Sequence, residues 1–191
     1  MKKIILASGS PRRREILEKT GLPFVVRESA YEEDMTLPMA PVELVKHLAV
    51  GKARAVVANE PNALIIAADT FIVFGDKVLG KPKTEERARE MLRLLSGKEN
   101  QVVTGVAIID TATGLEVVFH DIARVFIKDL SAATIEAYIK TGDPLDKAGA
   151  YAIQGIGAVL IEKIEGDFFA IMGLPISRLA DELKQFGINI L

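Results

Sequence analysis

Ser8-Gly9-Ser10 joins a strand-like segment, Lys2 to Ala7, with its apolar run Ile4 to Ala7, to three consecutive arginines, Arg12 to Arg14. A strand, a small-residue turn and a basic helix start make an anion site, because backbone N–H groups and guanidinium ions then converge on negative charge. The same residues also suit a solvated basic helix end. Lys52 falls eight places after Leu44 on a long helical stretch, at the edge of its apolar stripe. Lys81 lies between Gly80 and Pro82 at the end of a hairpin, where a lysine by itself is more often a plain surface residue. Asp69 closes the apolar run Ala63 to Ala68, at the carboxyl end of a buried strand, where open α/β sheets hold their ligands. A carboxylate there is costly to bury without a metal or hydrogen bonds. A cap or turn built with Thr70 is the alternative. Glu32-Glu33-Asp34 is a charge run of the kind that is usually solvated, and it also offers a second oxygen ligand for a hard cation such as Mg²⁺. Together, Arg12, Arg13, Lys52 and Lys81 with Glu33 and Asp69 suit a polyphosphate–magnesium substrate. The cations neutralise phosphate oxygens, and the carboxylates hold metal or activate water.

Two familiar motifs are excluded, and a third has little support. Gly75 to Pro82, "GDKVLGKP", has the glycine–lysine spacing of a P-loop but ends in proline, which lacks the hydroxyl that holds magnesium. Gly155 and Gly157 lack the third glycine of the dinucleotide fingerprint and precede a strand instead of a helix. His47 and His120 stand in ordinary positions and give a Ser-His-Asp triad little support.

The elements that must position these residues follow from periodicity and turn chemistry. Lys2 to Ala7 and Pro23 to Arg27 read as strands. Between them a helix runs from Pro11, with Ser10 at the N-cap and Gly21 past its end. Pro41 starts a long helix towards Ala58 with Leu44, Val45, Leu48, Ala49 and Ala53 on one stripe. Ala63 to Asp69 is a buried strand that runs on into Phe71 to Phe74, a Gly75-Asp76 turn and a short strand at Lys77 to Leu79. Thr84 caps a helix that ends before Gly97. Gln101 to Asp110 and Leu115 to Ile127 form an antiparallel ribbon, and Ser131 starts a further helix ending near Thr141-Gly142. Strand Ala158 to Ile164 and a last helix, Pro175 to Phe186, complete the pattern. The expected class is α/β with a mixed sheet, one domain over 1–191 with a second lobe built around the ribbon.

With 191 residues, 49% of them apolar and 26% charged, the chain has enough material for one packed core. No apolar run reaches the roughly 20 residues of a membrane helix, and Ser8 to Arg14 interrupts the first apolar stretch too early for a signal peptide. There is no cysteine, so neither a disulfide framework nor a thiol site is expected, and a cytoplasmic setting is. A net charge of −2 argues against general nucleic-acid binding.

In order along the chain stand "LASGSPRRREIL" at 6–17, "EED" at 32–34, "LAVGKARAV" at 48–56, "AADT" at 67–70 and "LGKPKT" at 79–84. They are followed by "VVTGVAI" at 102–108, "GDPLDKAGAYAIQG" at 142–155 and "IMGLPISRL" at 171–179. In these stretches the chain resembles the Maf family of nucleoside triphosphate pyrophosphatases. The resemblance implies a three-layer α/β/α fold related to the inosine triphosphatases, with a site in a cleft between two lobes. It also implies a divalent metal, Mg²⁺ or Mn²⁺, and often a homodimer. By position it assigns Ser8, Arg12, Arg13, Lys52 and Lys81 to the triphosphate and Glu33 and Asp69 to metal. Asp69 becomes the base for the attacking water, and Gln154 and Thr70 become further substrate contacts. "SPRR" with "ADT" is similar to the branch acting on dTTP and UTP, whereas the 7-methylguanosine triphosphate branch carries Trp near Arg12 and Gln near Thr70. Ala67, Ala152 and Asn100 depart from the glycines and histidine frequent at their positions, and none of these changes removes a charged site residue. The rival readings are a nucleotide-binding regulator of cell division and a purine enzyme of the inosine-triphosphatase kind.

Overall fold

The computed structural model describes residues 2–191. Its strands are β1 (Lys3–Leu6), β2 (Phe24–Val26), β3 (Ala63–Phe74), β4 (Lys77–Leu79), β5 (Glu99–Asp110), β6 (Glu116–Ile127) and β7 (Ile161–Glu165). The helices are α1 (Pro11–Glu18), α2 (Pro41–Val57), α3 (Glu85–Leu95), α4 (Ala132–Ile139), α5 (Phe168–Met172) and α6 (Ile176–Leu183). The strands form one mixed sheet in the order β2-β1-β3-β5-β6-β7, with β4 paired to β3. β1 is parallel to both β2 and β3, whereas β3–β4 and β6–β7 are antiparallel. β5 and β6 form the expected ribbon: Asp110 N–H donates to Leu115 O at the turn, and Ile127 N–H donates to Lys98 O at the far end. No helix of the described residues is long and apolar enough to cross a membrane.

The chain divides into two compact units. The first comprises residues up to Asp69, Thr104–Asp121 and Phe169–Leu191; the second comprises Thr70–Val103 and Ile122–Phe168. In the first, Ile5 and Ala7 of the β1 segment, Ala63, Ile65 and Ala67 of β3, and Ala107 and Ile109 of β5 make one apolar cluster with Ala49, Ala53 and Val56 of α2. The alternate residues Ile4, Leu6, Leu64 and Ile66 are buried as well, so these strands are covered on both faces, which explains their unbroken apolar runs. In the second unit, Thr84 and Ser131 cap α3 and α4 by accepting from Arg87 N–H and Thr134 N–H. Buried Asn100 donates to Val125 O and accepts from the Tyr151 hydroxyl. Residues 143–160 hold three short 3₁₀ turns.

The structure corrects several expectations. Asp69 lies inside β3, which is continuous to Phe74, and it caps no helix or turn. Sequence places a strand end where the apolar run stops. Here the edge beside Asp69 opens instead because β1 stops: its ladder with β3 ends at Leu6–Ile66, with one more bond from Ala7 N–H to Ile66 O. β4 resumes pairing on β3 only at Ile72. β7 begins at Ile161, since Ala158 to Leu160 belong to a 3₁₀ turn that starts at Gly155. Helix α6 is regular only over Ile176–Leu183 before a 3₁₀ turn at Lys184–Phe186. The five-residue α5 is too short to leave a periodic signal.

Candidate active site

Strand alternation places Asp69 on the face that already carries Ala63, Ile65 and Ala67, the face covered by α2. Lys52 is buried on that same helix beside Ala49 and Ala53. Its aliphatic stem lies in the helix–sheet contact and its ammonium emerges at the acid end. There Lys52 Nζ donates to Asp69 Oδ1 and pairs at 2.7 Å with Glu33 Oε1, so one ammonium joins both candidate carboxylates. Asp69 is 5% exposed, and without this partner its charge would be buried uncompensated.

The close seat of α2 depends on Gly105 of β5. A side-chain carbon there would lie 2.6 Å from Val45 O, so any larger residue would lift the helix that carries Lys52. Sequence reading assigned Gly105 no role, although a lone glycine inside a strand pattern signals such a close backbone approach.

Past β1 the chain turns through Ser8. The Ser8 hydroxyl oxygen accepts from Ser10 N–H and from Arg13 Nη1, each at 3.3 Å. Arg13 Nε donates to Gly173 O at 2.9 Å, which orients the guanidinium from the loop after α5. That carbonyl is a second contributor the sequence did not reveal, since the two residues are 160 positions apart. Ser10 occupies the N-cap with Pro11 following, as expected, but its side chain makes no capping bond. Burial holds the Arg13 pKa below its ordinary value; Asp69 and Glu33 counter that effect, while neighbouring Arg12 adds to it. The Arg12 side chain has no hydrogen-bond or ion-pair partner among the described residues. Two adjacent guanidinium groups, one desolvated and one without a partner, are disposed to take an anion.

The structure thus brings Ser8, Arg13, Glu33, Lys52 and Asp69 together within the first unit, with Arg12 beside Arg13. The other expected contacts lie in the second unit. Thr70 is half-buried in β3; Lys81 is exposed just after β4; Gln154 is half-buried at the start of the third 3₁₀ turn. Neither Lys81 nor Gln154 has a side-chain partner among the described residues.

The carboxylate pair fits a hard divalent ion. Glu33 and Asp69 are oxygen donors that already converge on one cationic point, with no thiolate or imidazole among them. Two such oxygen donors match the way Mg²⁺ is commonly held, by one or two carboxylates plus phosphate oxygens and water.

The model of the Maf-like protein family matches residues 3–186, and the chain belongs to that family. A relative from Desulforamulus reducens, named dTTP/UTP pyrophosphatase, is 47% identical over 190 residues and covers 100% of both chains. Another of that name, from Bacillus cereus, is 48% identical over 100% of this chain and 93% of its own. Among solved structures, a HAM1 protein from Coxiella burnetii superposes with a TM-score of 0.53 at 15% identity, covering 97% of this chain and 100% of its own. That likeness speaks for the fold alone.

Proposed function

We propose that this chain hydrolyses dTTP and UTP to the monophosphate and pyrophosphate. The observation that carries the reading is the single buried ammonium of Lys52 set between Asp69 and Glu33, beside the Arg12–Arg13 pair. The whole-length similarity to two dTTP/UTP pyrophosphatases supplies the substrate class.

In this reading the triphosphate lies against Ser8, Arg12 and Arg13, whose donors meet its non-bridging oxygens. Lys52 turns its ammonium to the same phosphates and neutralises the charge that grows on the departing group. A water oxygen bonds to the α-phosphorus, the α–β bridging P–O bond breaks, and Asp69 accepts the proton that the water gives up. Thr70, Lys81 and Gln154 join the substrate contacts on the strength of the family resemblance. Glu33 and Asp69 would hold Mg²⁺ or Mn²⁺, which when bound supplies Lewis-acid neutralisation of phosphate charge.

The test is pyrophosphate release with Mg²⁺ across the common NTPs and dNTPs, with ITP and 7-methyl-GTP included. Release from dTTP and UTP, abolished by EDTA and restored by excess Mg²⁺, is the expected result. Release from ITP alone would replace the pyrimidine assignment with a purine one. Tight nucleotide binding without any release would identify a binding protein instead.

A further inference from the structure

Glu33 is the least anchored member of the site. It lies in a stretch without helix or strand, and its side chain is 44% exposed. Packing therefore does not hold it, and its side chain is tied by the ion pair with Lys52 at 2.7 Å. A pair whose acid is this exposed contributes little to ordering a loop, because the glutamate side chain must give up its freedom in solvent to make it. Something nearby has to set the loop's path.

Tyr31 is two residues before Glu33 and half-buried, while Glu32, Glu33 and Asp34 are exposed. Its N–H donates to Ser29 Oγ at 3.2 Å, and its hydroxyl lies 3.4 Å from His47 Nε2 of α2. The ring itself rests directly on Gly51, the residue before Lys52. A side-chain carbon at position 51 would lie 2.8 Å from Tyr31 Cε1 and closer still to Cζ. The ring thus fills the space that any other residue at 51 would occupy.

We propose that Tyr31, seated on Gly51, is the positioning residue that holds Glu33 against Lys52. The contact joins neighbours on both sides: one partner is two residues from Glu33, and the other is adjacent to Lys52. It acts like a peg in a notch, and the notch exists because position 51 has no side chain. Gly51 belongs to the "LAVGKARAV" stretch, where a mid-helix glycine has no other evident use. Alanine is the better helix former there, so the glycine is retained against helix propensity. The inference rests on the hydrolysis reading above for its kinetic consequence, and on geometry alone for the placement of the loop.

Gly51→Ala is the informative substitution. The added methyl collides with the far end of a side chain on a loop, so the ring yields and the helix stays. To regain ordinary van der Waals separation the ring must retreat by about 1 Å, a displacement that on reacting groups costs about 10²-fold in rate. The expected result is a kcat lower by about that factor, with helical signal and Tm at or above those of the unaltered chain. In a Glu33→Gln background the same substitution should cost nothing further, because the effect travels through Glu33. Tyr31→Ala should match Gly51→Ala, and Tyr31→Phe, which keeps the ring, should retain activity. A second readout needs no catalysis: a glutamate-specific protease should cut at Glu32 and Glu33 several-fold faster in Gly51→Ala and Tyr31→Ala than in the unaltered protein. Unaltered kcat together with unaltered cleavage in either variant would overturn the proposal. So would a Gly51→Ala loss that persists in full in the Glu33→Gln background. If the unaltered chain releases no pyrophosphate, the hydrolysis reading fails, and the cleavage rates still decide whether Tyr31 holds the loop.

Discussion

The first unit carries buried acids at both ends of its β1–β3 pair, and the two ends treat them differently. Where β1 and β3 begin, Asp110 accepts from Lys2, from the Thr113 hydroxyl and from Ala112 N–H, and it is 2% exposed. Glu60 beside it pairs with Lys3 at 2.6 Å and Arg27 at 3.1 Å. The Thr111 hydroxyl oxygen accepts from Ala63 N–H and so ties the turn after β5 to the start of β3. Each carboxylate there has cations of its own, and Asp110 adds a hydroxyl and a backbone N–H. Where β1 stops, two carboxylates share one ammonium, and the Arg12–Arg13 pair adds two further positive charges, that of Arg12 without a partner among the described residues. A closed set of charges stabilises a fold. A set with surplus cations around shared acids is arranged for a ligand that is not part of the chain. Burial of an acid is thus no guide to its role; the completeness of its partners is.

Substitutions should separate the two ends. Asp69→Asn keeps the shape of the side chain and removes its basicity, so turnover of dTTP should fall by about 10²–10⁴-fold, as for loss of a general base, with Tm little changed. Near-normal turnover would dissolve the distinction. Lys52→Ala should raise KM for the triphosphate by about 10- to 100-fold, the equivalent of one charge-assisted hydrogen bond of about 1.5–3 kcal/mol. Unaltered steady-state kinetics would place this lysine with the structural charges. Asp110→Ala should do the reverse: thermal or urea unfolding should show a loss of about 1–3 kcal/mol, from hydrogen-bond donors left without their acceptor, at unaltered kcat/KM. Lost activity in the folded variant would mean that the two ends are coupled.

The smallest effect is in acid. Lys2 holds the Asp110 carboxyl below its ordinary 3.8, and Lys3, with Arg27, holds Glu60 below its ordinary 4.5. A lowered folded-state pKa gives stability that is fully present above the ordinary values and is lost as pH falls through the folded ones. Unfolding followed by circular dichroism should therefore set in below about pH 4. Asp110→Asn should flatten that decline, and an equally steep decline in the variant would assign acid sensitivity elsewhere.

Much of this was legible in the residues. Pro41, the Leu44–Ala53 stripe, the Thr84 and Ser131 caps and the ribbon around Thr111–Gly114 all signal themselves locally, because propensity, capping and alternation act over a few neighbouring residues. The charged members of the site were also nameable, since unpaired charges beside apolar runs stand out and the eight motifs carry a family resemblance. The resemblance supplied the membership of the site and could not supply its bonds. That Asp69 sits within a strand depends on where β1 ends, a property of another segment. That Arg13 is aimed by Gly173 O, and that α2 can approach the sheet at Gly105, are contacts across long stretches of chain. Tyr31 reads as an ordinary loop aromatic until Gly51 is found beneath it.

The sequence by itself determined which segments become helices and strands and which residues bring charge, because those preferences belong to single side chains and their near neighbours. The tertiary structure decided which acid is saturated and which shares its cation, because partner number is counted in space, between segments that only folding brings together.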